Sequence, residues 1–161
     1  MIFFILAAML LEDLRYIPQH KGIGISQEKG SRMDRSATRV LVVEDDKLMN
    51  WSLVSSLSKW GFEVQSVFNG NDAIREIQKT RFDIALLDYQ LPDLDGLAVA
   101  RIIRETQAHA AIFLVTGHPL SELPKEPHLF DIYFSKPVNL NQLQLALQGI
   151  IQPGSVEEKL R

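Results

Sequence analysis

From Thr38 onward the sequence alternates five short apolar runs with stretches whose apolar residues recur at helical spacing. Few features restrict a fold more. Consecutive parallel strands need a crossover, a helix supplies it, and connections of a few residues leave room for little else. The runs at 39–43, 62–67, 84–87, 111–115 and 132–134 are expected to be strands, with helices over 47–60, 71–80, 96–107 and 139–151. In the first helix Leu48, Trp51, Leu53, Val54, Leu57 and Trp60 form a broad apolar face. Asp45 or Asp46 can cap it, and Gly61 stands where a left-handed C-terminal turn is expected. Asn139 is placed to cap the last helix, whose Leu140, Leu143, Leu147 and Ile150 share a spacing.

Composition narrows the chemistry. The 161 residues include no cysteine, which excludes a disulfide scaffold and any thiolate metal site. Acidic residues outnumber basic ones, 20 to 17, so no basic field recommends a nucleic acid partner. Residues 1–37 read as an N-terminal arm, 38–151 as the domain and 152–161 as a tail. The arm opens with an apolar run, 2–11, about half of a bilayer span and without a basic region before it. Residues 22–36 have the Gly, Ser and charge content of a disordered linker. The arm is open to three readings: a weak membrane or partner anchor, an extra element packed on the domain, or a non-native start preceding an initiation at Met33.

In a parallel sheet of this kind, sites lie at the carboxyl ends of the strands. The first strand ends in Glu44-Asp45-Asp46, the third in Asp88, the fourth in Thr116 and the fifth in Ser135-Lys136-Pro137. Each piece has an ordinary reading: a helix cap, a turn residue before Pro92, a satisfied strand end, a solvated lysine. Together they bring acids, a hydroxyl and an ammonium to one rim. Two carboxylates about 4 Å apart repel by about 4 kcal/mol at an effective dielectric near 20, so three acids on one rim call for a cation. Oxygen donors favour a hard ion such as Mg²⁺ or Mn²⁺.

Four segments carry a resemblance: Val-Leu-Val-Val-Glu-Asp-Asp (40–46), Asp-Ile-Ala-Leu-Leu-Asp-Tyr-Gln-Leu-Pro-Asp-Leu-Asp-Gly (83–96), Phe-Leu-Val-Thr-Gly (113–117) and Phe-Ser-Lys-Pro (134–137). Over about 38–151 the chain resembles the receiver domain of two-component response regulators. The resemblance implies an α/β, flavodoxin-like three-layer sandwich: a five-stranded parallel sheet of order 2-1-3-4-5 with helices on both faces. It implies transfer of a phosphoryl group from a phosphohistidine on a histidine kinase or histidine phosphotransfer protein. Asp88 is then the phosphoacceptor. Glu44, Asp45, Asp88 and the backbone carbonyl of Gln90 hold Mg²⁺ or Mn²⁺. Thr116 and Lys136 contact the phosphoryl oxygens, and Tyr133 occupies the aromatic switch position. Gln90 and His118, two residues beyond Asp88 and Thr116, are expected to tune dephosphorylation.

The resemblance further implies a cytoplasmic protein without a membrane span, whose only catalysis is its own phosphorylation and dephosphorylation, acting on an unknown downstream protein. With ten residues after Ile151, a stand-alone receiver is expected. Two alternatives differ in class. One is a receiver-fold scaffold that binds proteins without being phosphorylated. The other is an aspartyl-phosphate phosphatase, which needs an Asp-x-Asp motif after the first strand that Glu44-Asp-Asp-Lys-Leu does not supply. One departure concerns 117–131, where Pro119, Pro124 and Pro127 occupy the family's fourth-helix region. Proline inside a helix costs about 3 kcal/mol, so a fourth helix here is expected to be short or irregular. Leu129, Phe130 and Leu145 are expected to form a compensating core patch.

Overall fold

The computed structural model describes residues 37–123, 126 and 128–151. Strands β1 (Arg39–Val43), β2 (Glu63–Val67), β3 (Ile84–Asp88), β4 (Ala111–Thr116) and β5 (Ile132–Ser135) alternate with helices α1 (Lys47–Lys59), α2 (Gly70–Lys79), α3 (Gly96–Thr106) and α4 (Leu140–Ile151). All pairings are parallel, in the order β2-β1-β3-β4-β5. The order reverses after β2. Because β–α–β crossovers are right-handed, the reversal puts helices on opposite faces and opens a crevice between the ends of β1 and β3. Leu53 and Leu57 of α1 pack with Leu143 and Leu147 of α4 on Val42, Leu86 and Phe113. On the other face, Ala73 and Ile77 of α2 and Leu97, Ala100 and Ile103 of α3 cover Leu41, Leu87 and Leu114.

Local chemistry sets the helix ends. Asp46 caps α1, accepting from Met49 N at 2.7 Å; Asn69 accepts from Asp72 N at 2.8 Å, and Asp95 from Ala98 N at 2.7 Å. Helix α1 ends in a Schellman turn: Phe62 N–H donates to Leu57 O, Gly61 N–H to Ser58 O, and Gly61 sits at φ 91°.

Two sequence expectations about packing require correction. Leu48 and Trp51 do not join the buried face of α1; they are 80% and 71% exposed. At 100° per residue they lie roughly opposite the stripe through Leu53 and Leu57, and one helix face can meet only one sheet. Leu129 and Phe130 are buried as expected, but Leu145 is 66% exposed, on the side of α4 away from Leu143 and Leu147.

Among the described residues between β4 and β5, the helical element is a 3₁₀ turn, Leu120–Glu122. Glu126, Leu129 and Asp131 are fastened to α3. Arg101 pairs with the Glu126 carboxylate. Arg104 donates to Ala110 O at 2.7 Å, to Leu129 O at 3.1 Å and to the Asp131 carboxylate at 2.6 Å. Pro124 and Pro127, together with the arm over 1–36 and the tail over 152–161, lie outside the described residues.

Candidate phosphoacceptor and metal site

Strand register assembles the rim. Val43 pairs with Leu87, so Glu44 follows on β1 as Asp88 does on β3. Asp88 pairs with Val115, and Thr116 is the next residue. Thr116 pairs with Ser135, which puts Lys136 one step beyond. Side chains alternate along a strand. Glu44 and Asp88 therefore share the α1/α4 side with Val42 and Leu86, whereas Thr116 shares the α2/α3 side with Leu114.

The Lys136 ammonium donates to Asp88 Oδ2 at 2.7 Å and to Glu44 Oε1 at 2.9 Å. Glu44 and Asp88 are 1% and 5% exposed, so their charges have little water to disperse into. Burial pushes the Glu44 carboxyl above its ordinary value; the Lys136 contact opposes that shift and Asp88 adds to it. Desolvation lowers the Lys136 pKa, but its contacts with Asp88 and Glu44 outweigh that effect and hold it above the ordinary lysine value. One ammonium thus neutralises part of an acid-rich pocket.

The same pocket fits a cation. Glu44, Asp45 and Asp88 each bring a carboxylate oxygen within 4.8 Å of the others. Glu44 Oε2 is buried without a hydrogen-bond partner, an acceptor with unmet demand. Asp45 is exposed and opens the set to solvent. A hard divalent ion held by one or two carboxylates, a carbonyl and waters suits these donors.

Gln90 and His118 also reach the rim, through their backbone N–H groups. Gln90 N–H donates to Asp88 Oδ1 at 3.1 Å, and His118 N–H donates to Thr116 Oγ1 at 2.9 Å. Thr116 itself is buried. The His118 ring meets the Tyr89 ring edge-on, with centroids 5.7 Å apart. Tyr133 is the most distant in role. It is half-buried on the α2/α3 side with its ring 5.6 Å from that of Phe130, and burial together with Glu126 raises its pKa. The Lys136–Pro137 peptide bond is cis.

A model of the response regulator receiver domain matches residues 40–148. The chain belongs to the response regulator receiver family. Among curated relatives of this receiver, CpdR of Brucella abortus, a response regulator receiver protein, is 32% identical over 111 residues, covering 65% of this chain and 89% of CpdR. Other curated relatives are longer, and the chain spans about half or less of their length. A CheY-like receiver domain from Methylobacillus flagellatus superposes with a TM-score of 0.65 at 30% identity, covering 71% of this chain and 99% of that one. The receiver domain of a sensor histidine kinase from Pseudomonas aeruginosa PAO1, solved with magnesium in its active-site cleft, gives 0.64 at 30% identity, with 72% and 98% covered. The flavodoxin-like fold and the receiver assignment are thereby established. Among the described residues no helix is long and apolar enough to cross a membrane.

Sequence reasoning assigned no role to three residues at this receiver's site. Asn50 on α1 is buried, and its Nδ2 donates to Glu44 O at 3.2 Å and to Val67 O at 3.4 Å, pinning the end of β1. Gly96 is so close to β3 that a Cβ there would lie 2.3 Å from Asp88 O. Asp93 bonds to α2, 23 residues away. A polar residue at a core-facing helix position was the one available signal for Asn50.

Proposed function

We propose that this receiver accepts a phosphoryl group from a phosphohistidine on a histidine kinase or histidine phosphotransfer protein onto Asp88, and that the modification switches a protein-binding surface. The observation that carries the reading is the Lys136 ammonium held against both Asp88 and Glu44, next to an unpartnered Glu44 oxygen. A carboxylate oxygen of Asp88 forms the P–O bond as the donor's P–N bond breaks, giving an acyl phosphate and a free imidazole. Catalysis of such a transfer is mostly positioning and charge neutralisation. Lys136 is placed to pair with a phosphoryl oxygen in exchange for a carboxylate. Glu44, Asp45, Asp88 and the Gln90 carbonyl would hold Mg²⁺ or Mn²⁺, which supplies positive charge against the phosphoryl oxygens.

Thr116 carries the switch. Its hydroxyl accepts from His118 N–H, and its carbonyl accepts from Lys136 N–H at 2.8 Å, so it links the 117–123 loop to the end of β5. A phosphoryl oxygen competing for that hydroxyl shifts the population of loop positions and, through it, the packing of Tyr133 on Phe130. Gln90 and His118 flank the approach that water must take to hydrolyse the acyl phosphate, and they set its lifetime. The cytoplasm, where the donors' ATP is found, is the proposed location.

One experiment tests both parts. Protein carrying ³²P-phosphohistidine is mixed with this chain and Mg²⁺, and transfer and decay are followed. Label is expected on the chain, sensitive to hydroxylamine, with a decay rate altered in His118→Ala. No transfer from any donor in a panel, with acetyl phosphate still labelling the chain, would overturn the donor assignment. An unchanged decay rate would remove His118 from the account.

A further inference from the structure

We propose that Asp93 is a positioning residue for the divalent-cation site: its carboxylate moors the loop that follows Asp88 and carries Gln90 to the N-terminus of α2. The proposal rests on the reading of Glu44, Asp45, Asp88 and the Gln90 carbonyl as the cation's ligands.

The loop between β3 and α3 is pinned at both ends. Tyr89 N–H donates to Val115 O at 3.0 Å, and Gly96 N–H donates back to Tyr89 O at 2.9 Å. Its apex, Pro92-Asp93-Leu94, leans the other way, onto α2. Asp93 Oδ1 accepts from Gly70 N at 2.8 Å and from Leu94 N at 2.9 Å, and Oδ2 accepts from Asn71 N at 2.9 Å. Gly70 and Asn71 belong to the first turn of α2, whose N–H groups have no partner within the helix. Asn69 serves one donor of that turn, Asp72 N, and Asp93 serves two more. The helix dipole favours an anion at that end.

The contact is fitted as well as charged. A Cβ on Gly70 would lie 2.8 Å from Leu94 Cβ, closer than carbon atoms pack. Glycine at 70 is therefore what lets the loop apex reach α2. Desolvation pushes the Asp93 carboxyl up, but the N–H groups of Asn71, Gly70 and Leu94 outweigh it and hold the group below the ordinary carboxylate value. The ionised form is the one that binds α2.

The link to metal is mechanical. Asp93 lies three residues beyond Gln90 on one short loop, and a hard ion demanding near-ideal octahedral geometry tolerates little ligand displacement. Residues that orient metal ligands without touching the ion commonly contribute 10- to 100-fold in affinity. Asp93 acts through a loop, so the lower end applies: Asp93→Ala is expected to weaken Mn²⁺ binding about tenfold. Asp93→Asn keeps one acceptor oxygen but sets an amide against a backbone N–H, and an intermediate loss is expected.

Free Mn²⁺ is measured by electron paramagnetic resonance during titration of the full chain, without any phosphodonor. Leu147→Ala, a fully buried core truncation remote from the loop, is the control for lost stability. The expected order of affinity is wild type and Leu147→Ala together, then Asp93→Asn, then Asp93→Ala. Equal affinity in Asp93→Ala and wild type overturns the proposal, as does an equal weakening in Leu147→Ala. If Asp93→Ala fails to fold, Asp93→Asn against the same control decides. A wild-type chain that binds no Mn²⁺ would instead sink the metal reading on which the proposal stands.

Discussion

Lys136→Met is expected to destabilise the metal-free protein at neutral pH by about 2–3 kcal/mol, with most of that loss recovered on adding Mg²⁺. Removing one partner of a buried ion pair costs about 3–5 kcal/mol because a desolvated charge is left unpaired. The Lys136 side chain is a quarter exposed, which argues for the lower figure. In the variant, Glu44 would lose the ammonium that opposes the effect of its burial, and its folded-state pKa, already raised, would rise further above the unfolded one. A carboxyl whose pKa is raised by folding opposes the fold above its ordinary pKa and ceases to do so as pH falls through the folded value. The deficit is therefore expected to shrink on acidification as well as with Mg²⁺. Urea unfolding at neutral and mildly acidic pH, with and without Mg²⁺, measures each part. A loss under about 0.5 kcal/mol, the size of an ordinary surface change, would contradict the electrostatic account.

Gly96→Ala is expected to slow labelling by acetyl phosphate by about a hundredfold and to cost about 1–3 kcal/mol of stability. The added methyl would stand 2.3 Å from Asp88 O and 3.1 Å from Tyr89 Cα, both backbone atoms with no rotamer to escape into. Either α3 retreats, breaking the bond from Gly96 N–H to Tyr89 O, or β3 shifts at the acceptor itself. A displacement near 1 Å at a reacting group is worth about two orders of magnitude in rate. Stopped-flow labelling beside a urea titration separates the terms. Wild-type labelling kinetics would show that the close approach does not position Asp88.

Much of the fold was legible because its signals are local. The β-branched run Val40–Val43 and the aliphatic run Ile84–Leu87 are buried on both faces, as central parallel strands must be, while Glu63 and Gln65 of edge strand β2 are exposed. The helix caps at Asp46 and Asn139 and the turn at Gly61 depend on one to three neighbours. The strand-end residues were legible for the same reason: knowing where a strand stops says which residue reaches the rim. What failed depends on amount or distance. The apolar residues of α1 outnumber the positions facing the sheet, and no local pattern says that Leu48 and Trp51 lose that competition. Nor does a local pattern say that Asp93 meets Gly70 or that Arg104 meets Asp131, because those contacts exist only once the helices are packed.

The central claim is that acids, hydroxyl and ammonium form one phosphoryl-accepting site with Asp88 as nucleophile. The most direct measurement is the covalent state of residue 88 after incubation with acetyl phosphate, read by borohydride reduction and peptide mapping, with and without Mg²⁺. The account predicts Mg²⁺-dependent modification at Asp88 and none in Asp88→Asn. Undiminished labelling of Asp88→Asn, or modification mapped to another residue, would contradict it.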